Sequence, residues 1–359
     1  MLKFVFLYLL FFSVFGAGQF VFAKVELVVW QASPASPKII LPKRDNESLT
    51  QAVQNYLSAL LKEPRLKNII PEKYDQFQMG EISLLNQFDK STKPLTAINA
   101  NWFQDMTAEG PRILRNIDMF SRAGTNAYVI ALAAEVTLNQ TELVEFEHLL
   151  VDSFNLMVSL GGDDVSPELY KESKTWSHST NSLRDSLELN RVKKFKAAGK
   201  GVFFGICRGH QLGAIADGHS LYQDLSQDGL ANTSDHINLD GKNSTEMQTW
   251  HHIQIEDSLL KRFLGKNSLV VNSIHHQAVR TNLNAESFPV ARDGLVAEAL
   301  QSKNRLSLSV QFHPEFSEKI SNNAEFSEDG FKIIGGIVAY SRLIQGRIKK
   351  MNSCQKLFI

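Results

Sequence analysis

The sequence predicts an α/β protein: a mostly parallel sheet with helices on both faces, preceded by an N-terminal α/β extension. Three observations predict it. From Leu95 onward, apolar runs of strand length alternate with helical patterns through short links, the pattern of a parallel sheet covered on both sides. The 359 residues are 43% hydrophobic and include only 2 cysteines, Cys207 and Cys354. Stability must therefore come from a buried core, not from a disulfide scaffold or a cysteine-based zinc site. The 38 basic and 38 acidic residues cancel, which leaves no electrostatic footprint for nucleic acid.

In chain order, residues 1–23 read as a secretory signal. Lys3 precedes an uncharged run from Phe4 to Phe15, and small and polar residues then end in Val21-Phe22-Ala23, with cleavage expected before Lys24. The alternative is an N-terminal membrane anchor. No cysteine follows the hydrophobic run, which argues against a lipoprotein. Residues 24–92 form an extension of unassigned role, with a strand over Val25 to Trp30. A helical stripe follows at Leu49, Ala52, Val53, Tyr56, Leu60 and Leu61, opened by a capping box of Ser48 with Gln51.

The main domain spans residues 93–345. Strands are expected at Leu95 to Ala100, Ala127 to Leu132, Leu156 to Leu160, Gly201 to Ile206, Leu269 to Val271 and Leu306 to Phe312. Helices are expected at Pro111 to Ala123, Glu142 to Ser153, opened by Asn139, and Arg184 to Ala198. A basic tail, residues 346–359, ends the chain. Open parallel sheets place active sites at the carboxyl ends of their strands, so the residues following each strand carry the functional information.

The run from Gly201 to Ile206 leads into Cys207-Arg208-Gly209-His210-Gln211 and then a helix. A nucleophile flanked by glycines between a strand and a helix has the plan of a nucleophile elbow, and the helix N-terminus favours a thiolate and later an oxyanion. The plain alternatives are a buried small hydrophobe or a disulfide to Cys354. Neither explains Gly205 and Gly209. The last strand ends in His313-Pro314-Glu315. Residues two apart in extended chain point the same way, so the imidazole can take the thiol proton while the carboxylate orients it.

Together, Gly205-Ile206-Cys207-Arg208-Gly209-His210-Gln211 and His313-Pro314-Glu315 resemble the class I glutamine amidotransferase-like superfamily, which implies a flavodoxin-like fold. Within it the chain is most similar to the γ-glutamyl hydrolase branch, particularly γ-glutamyl-γ-aminobutyrate hydrolase-like proteins of peptidase family C26. Leu160 to Tyr170, Arg184-Asp185 with Glu188, Val271 to Gln277 and Asp293 to Val296 fit that branch. The resemblance implies Cys207 as nucleophile, His313 as base and Glu315 as its orienter. The backbone N–H of Arg208 and one from the Gly161-Gly162 turn would form the oxyanion hole, and Gln211 would contact the γ-glutamyl group. His210 stands where this branch often has an aromatic residue, and Asp217-Gly218 where it often has Gly-Gly.

Several residues carry a plainer reading. His251-His252 and His275-His276 invite a metal, but neighbours on a strand face opposite ways and no third ligand sits at a recognised spacing, so no metal and no cofactor is expected. One member of each pair is structural or lines the pocket, His275 being the pocket candidate. Asp163 and Asp164 read as solvated loop acids, and Asp185 and Glu188 as buried hydrogen-bonding groups. Arg184 could meet a substrate carboxylate.

The expected activity is an exported cysteine hydrolase, periplasmic or secreted, that cleaves γ-glutamyl amide or peptide bonds through a thioester. Its partner is a small γ-glutamyl substrate, with no nucleic acid and no stable membrane association after signal cleavage. A glutaminase component delivering ammonia, or a non-catalytic protein retaining the fold, are the alternatives.

Overall fold

The computed structural model describes residues 24–62, 79–100, 109–230, 236, 249–316 and 324–355, apart from 35, 90 and 91. The expected signal segment, residues 1–23, lies outside the described residues.

Six strands form the parallel centre of one large sheet, in the order β14 (Ser307–Val310), β7 (Val202–Ile206), β6 (Leu156–Ser159), β4 (Leu95–Ala100), β5 (Asn126–Ala131), β2 (Ile39–Arg44). Their buried residues alternate cleanly between two cores. Ile98, Val129, Val158 and Phe204 face one side with Ile113 and Phe120 of one helix (Glu109–Arg122) and Ile333, Ile337 and Val338 of the C-terminal helix (Ala324–Gln355). Ala97, Tyr128, Met157 and Phe203 face the other, against Phe146 and Leu150 of a helix at Gln140–Ser153 and Val192 and Phe195 of a helix at Ser182–Ala198. Burying such side chains on both faces stabilises the sheet by about 1.5–3 kcal/mol each. Two-sided burial is also why these strands read as continuous apolar runs.

The flanks are antiparallel. On one side β13 (Val296–Ser302), β12 (Ser287–Asp293), β9 (Thr249–Ile255) and β10 (Ser268–Ser273) continue the sheet from β14. On the other, β1 (Val25–Gln31) and β3 (Glu81–Leu84) extend it from β2, so the segment before residue 93 supplies three strands of the same sheet. Its helix, Leu49–Lys62, packs Val53, Tyr56 and Leu60 against Trp30, Ile39 and Leu41, with Trp30 and Tyr56 edge to face at 5.8 Å. The expected capping boxes are both formed. Gln51 N–H donates to Ser48 Oγ at 3.2 Å, and Ser48 N–H to Gln51 Oε1 at 2.7 Å. Asn139 accepts from Thr141 and Glu142, while Glu142 accepts from Asn139 N–H at 2.9 Å.

The antiparallel strands β9, β12 and β13 carry no long apolar run, so the sequence did not show them. The β13 segment, Val-Ala-Glu-Ala-Leu-Gln-Ser, is buried throughout and includes a charged residue, Glu298. The C-terminal helix runs unbroken across residue 345 into the expected tail. Among the described residues, no helix is long and apolar enough to cross a membrane.

Candidate active site

Strand β7 runs straight into Cys207, whose backbone stands at φ 52°, ψ −109°, and a helix at Arg208–Ala216 begins on the next residue. A non-glycine residue in that region costs about 1–3 kcal/mol and persists only where its surroundings fix it. Here Cys207 N–H donates to Val310 O at 2.8 Å, and Gln211 N–H donates to Cys207 O at 3.1 Å. The flanking glycines let the turn close. A Cβ on Gly209 would lie 2.0 Å from the Ser159 carbonyl oxygen, and one on Gly205 would lie 2.4 Å from that of Gly209. Gly209→Ala should therefore lower stability by about 1–3 kcal/mol. A urea midpoint equal to that of the wild type would show that the helix does not press on β6 so closely.

Beneath the elbow lies a buried ion network. The Arg208 guanidinium pairs with Asp185 and, at 2.6 Å, with Glu188, whose other oxygen accepts from Arg184 Nε at 2.8 Å. Burial works against the Glu188 charge, but Arg184 and Arg208 outweigh it and hold its pKa below the usual carboxylate range. Asp185 and Glu188 are thus buried hydrogen-bonding partners. Arg184 is also buried, and a Cβ on Gly162 would lie 2.6 Å from its Nη1. Its guanidinium backs the Gly161-Gly162 turn and pairs with Glu188.

His313 and Glu315 follow β14 as a pair. Asn272 fixes the backbone of the first: its Oδ1 accepts from His313 N–H at 2.8 Å, and its Nδ2 donates to His313 O at 3.0 Å. The Nδ1 of His313 is 2.8 Å from Glu315 Oε1, and Cys207 lies beside the ring. Gly161 closes the group, since a Cβ there would lie 2.9 Å from His313 Cε1 and 3.5 Å from Cys207 Cβ. Cys207, His313 and Glu315 are 7%, 2% and 1% exposed. Burial opposes a charge on His313, but Glu315 and then Cys207 outweigh it and the ring's pKa is raised to about 10. Burial likewise opposes charge on Glu315, and His313 overcomes it, so that pKa is lowered. The ring is therefore an imidazolium at neutral pH, and an imidazolium beside a cysteine is the setting that favours a thiolate nucleophile.

The remaining candidates are placed differently from one another. Gln211 is buried and its Nε2 donates to Gln277 O at 3.1 Å and Gln311 Oε1 at 3.3 Å. His275 is buried, with Nδ1 2.9 Å from Gln277 O and Nε2 3.6 Å from Glu298 Oε1. Asp164, expected to be solvated, is instead engaged. It lies 2.8 Å from His276 Nε2 and accepts from His178 N–H at 2.6 Å, while His276 Nδ1 is 3.2 Å from Asp224. Gln223, which sequence reasoning did not single out, accepts from Thr175 and Trp176 N–H at 2.9 and 3.1 Å and so shapes the loop beside the site. Such anchors carry no motif, because each is a lone polar residue whose partners are tens of residues away.

His276 supplies a pH test. Burial disfavours its charge, but Asp164 and then Asp224 more than compensate, and its pKa is raised above the ordinary imidazole value. A pKa raised on folding contributes stability that is fully present below about 6.5, the unfolded value, and is lost as pH rises through the folded value. The stability gap between wild type and His276→Gln should be widest near about pH 6 and should shrink as pH rises. A gap that widens toward alkaline pH would contradict the clamp.

A separate cleft lined by Asp89, Lys93, Leu95, Asp152, Asn155 and Lys200 opens at the amino ends of β4, β6 and β7. The Cys-His-Glu group sits at the opposite, carboxyl ends, where open α/β sheets bind their ligands.

An open α/β sheet presenting a cysteine on a nucleophile elbow, with a histidine and a glutamate on a neighbouring strand end, has the fold and site of a glutamine amidotransferase-like hydrolase. A family model described as Peptidase C26 matches residues 94–315, and the chain belongs to that family. The glutamine amidotransferase-like protein YvdE of Lactococcus lactis subsp. lactis is 36% identical over 202 residues, 55% of this chain and 78% of that protein. Protein NtpR of Enterococcus hirae is 32% identical over 182 residues, 49% of this chain and 72% of that protein. A solved glutamine amidotransferase from Thermotoga maritima aligns at 16% identity with a TM-score of 0.45, covering 71% of this chain and 99% of that one.

Proposed function

We propose that the protein is an exported hydrolase that cleaves γ-glutamyl amide or peptide bonds through a γ-glutamyl thioester on Cys207. The observation that carries this reading is the buried His313 ring, bonded to Glu315 and set beside Cys207 at a strained elbow. The Cys207 sulfur attacks the γ-carbonyl carbon, and the oxygen takes the negative charge. The N–H of Arg208, at the first helical position and so without an intrahelical acceptor, and an N–H of the Gly161-Gly162 turn receive that oxyanion. The C–N bond then breaks as the His313 imidazolium gives its proton to the leaving nitrogen. Neutral His313 next takes a proton from water, whose oxygen attacks the thioester, and glutamate leaves as the thiolate returns. Gln211, one helical turn beyond Cys207, completes the floor beneath the γ-glutamyl group.

The choice of γ-glutamyl over other acyl groups rests on the motifs shared with the γ-glutamyl hydrolase branch. Export rests on residues 1–23, with Lys24 as the expected mature N-terminus. N-terminal sequencing that returns Met1 from a soluble cytoplasmic fraction would overturn the export claim. For the activity, the protein is incubated with γ-glutamyl-γ-aminobutyrate, glutamine and a poly-γ-glutamyl peptide, and glutamate release is measured. Release from the first or third supports the reading. Release from glutamine alone favours a glutaminase component, as the names of relatives such as YvdE suggest, and release from none favours a non-catalytic protein.

Within this reading Arg184 is a positioning residue. Because it pairs with Glu188 behind the turn, Arg184→Lys should lower kcat by about 10-fold or more with little change in KM. A rise in KM at constant kcat would instead return it to the substrate carboxylate.

A further inference from the structure

We propose that His236, His275 and Glu298 form a buried site for a divalent transition-metal ion of the zinc class, with His251 and Asp293 on its outer side. Four segments converge there. His275 follows β10, Glu298 lies in the middle of β13, His251 is on β9, and His236 comes from the stretch between β8 (Ser220–Tyr222) and β9. The ligand atoms of His236, His275 and Glu298 all lie within 4.8 Å of one another, as do those of His236, His251 and Asp293.

Glu298 carries the argument. It is 0% exposed, and what faces its carboxylate is a ring of imidazole nitrogens at ion-pair distance, none of them close enough for a well-formed hydrogen bond. A buried carboxylate left in that state costs several kcal/mol, so such groups are paired or bind metals. The imidazole nitrogens around its Oε1 are His251 Nε2 at 3.5 Å, His275 Nε2 at 3.6 Å and His236 Nδ1 at 3.9 Å. These distances exceed the about 2.7–3.2 Å of an N–H···O bond. They approach the separation of about 3.3–3.4 Å between two donor atoms that share one tetrahedral zinc ion at about 2.0–2.1 Å.

The tautomer of His275 points the same way. Its Nδ1 is 2.9 Å from Gln277 O, which can only accept, so Nδ1 carries a hydrogen. In the neutral ring Nε2 then presents a lone pair toward Glu298, and two acceptors face each other unless a cation lies between them. An Nδ1–H bonded to a backbone carbonyl is the usual outer support of a metal-bound histidine. Imidazole and carboxylate donors suit zinc, and full burial of the three ligands describes a closed, structural site. The ion would tie the end of β10 to β13. Gln277, whose carbonyl orients His275, also receives Gln211 and supports Val165 N–H at 2.9 Å, so the site braces the wall of the active-site pocket.

The full chain, stripped with a chelator and dialysed, is titrated with zinc chloride and, separately, with cobalt chloride. The proposal expects one equivalent of zinc per chain, a tetrahedral cobalt spectrum, and uptake that persists in Cys207→Ser. Zinc affinity in Glu298→Gln should fall by more than the about 100-fold upper range for outer-shell changes. X-ray absorption on the zinc-loaded wild type should show imidazole scattering and no sulfur at about 2.3 Å, a readout that stands even if Glu298→Gln does not fold. No zinc uptake by the wild type would overturn the proposal and leave a proton-shared His275–Glu298 pair. Uptake abolished by Cys207→Ser, or a sulfur ligand, would overturn it in favour of binding at the catalytic thiol.

Discussion

Cys207→Ser is expected to fold like the wild type and to lose at least about 10⁴-fold in kcat. Serine keeps the shape, so the contacts that hold the elbow, Cys207 N–H to Val310 O and Gln211 N–H to Cys207 O, are retained. What is lost is the nucleophile. A serine hydroxyl is far less acidic than a thiol, and an imidazolium partner can favour a thiolate but has no vacant nitrogen with which to deprotonate a hydroxyl. Activity within 10-fold of the wild type, or a marked drop in Tm, would remove Cys207 from the centre of the mechanism. Iodoacetamide should alkylate the free thiol of Cys207 in the native protein at a rate that falls sharply in His313→Ala.

The second large effect concerns His313 and Glu315 as one unit. His313→Ala removes the proton carrier and should cost about 10²–10⁴-fold in kcat. Glu315→Gln keeps the shape but withdraws the charge that holds the imidazolium, so its loss should be smaller. The double mutant should lose little more than His313→Ala alone, since a glutamate with no imidazole to orient contributes nothing further. Fully additive losses would mean that the two do not share a role. A pH profile adds a second readout. The folded His313 pKa is raised to about 10, largely through Glu315 once burial is overcome. Glu315→Gln should therefore shift the alkaline limb of kcat/KM toward lower pH. Because that pKa is raised on folding, its contribution to stability is fully present below about pH 6.5 and fades as pH climbs toward 10.

These expectations follow from features the sequence carried openly. Five of the six central strands were legible because each is buried on both faces, so an apolar run is all such a strand can be, whereas β2, whose short run ends in Pro42, Lys43 and Arg44, was not. The elbow was legible because its chemistry is local. A cysteine at φ 52° needs small neighbours, and Gly205 and Gly209 stand within two residues of it. The pairing of His313 with Glu315 was legible for the same reason, as two residues of one extended stretch.

What the sequence did not carry depends on residues far apart in the chain. Arg184 looked free to meet a carboxylate, and only the fold places it on Glu188 behind the Gly161-Gly162 turn. Asn272, which holds the His313 backbone from both sides, sits 41 positions away on another strand. Neighbours on a strand face opposite ways, so neither histidine pair can by itself gather its two rings at one point. In the fold, one member from each pair, His251 and His275, converges on Glu298 with His236. Alternation along the chain thus determined the sheet's centre and the catalytic motif, because both are set by neighbours within a few residues. The buried ion network, the loop anchors and the histidine–glutamate cluster were decided by the tertiary structure alone. Desolvation forces buried polar groups to find partners, and which partners they meet depends on how the strands and loops come together in space.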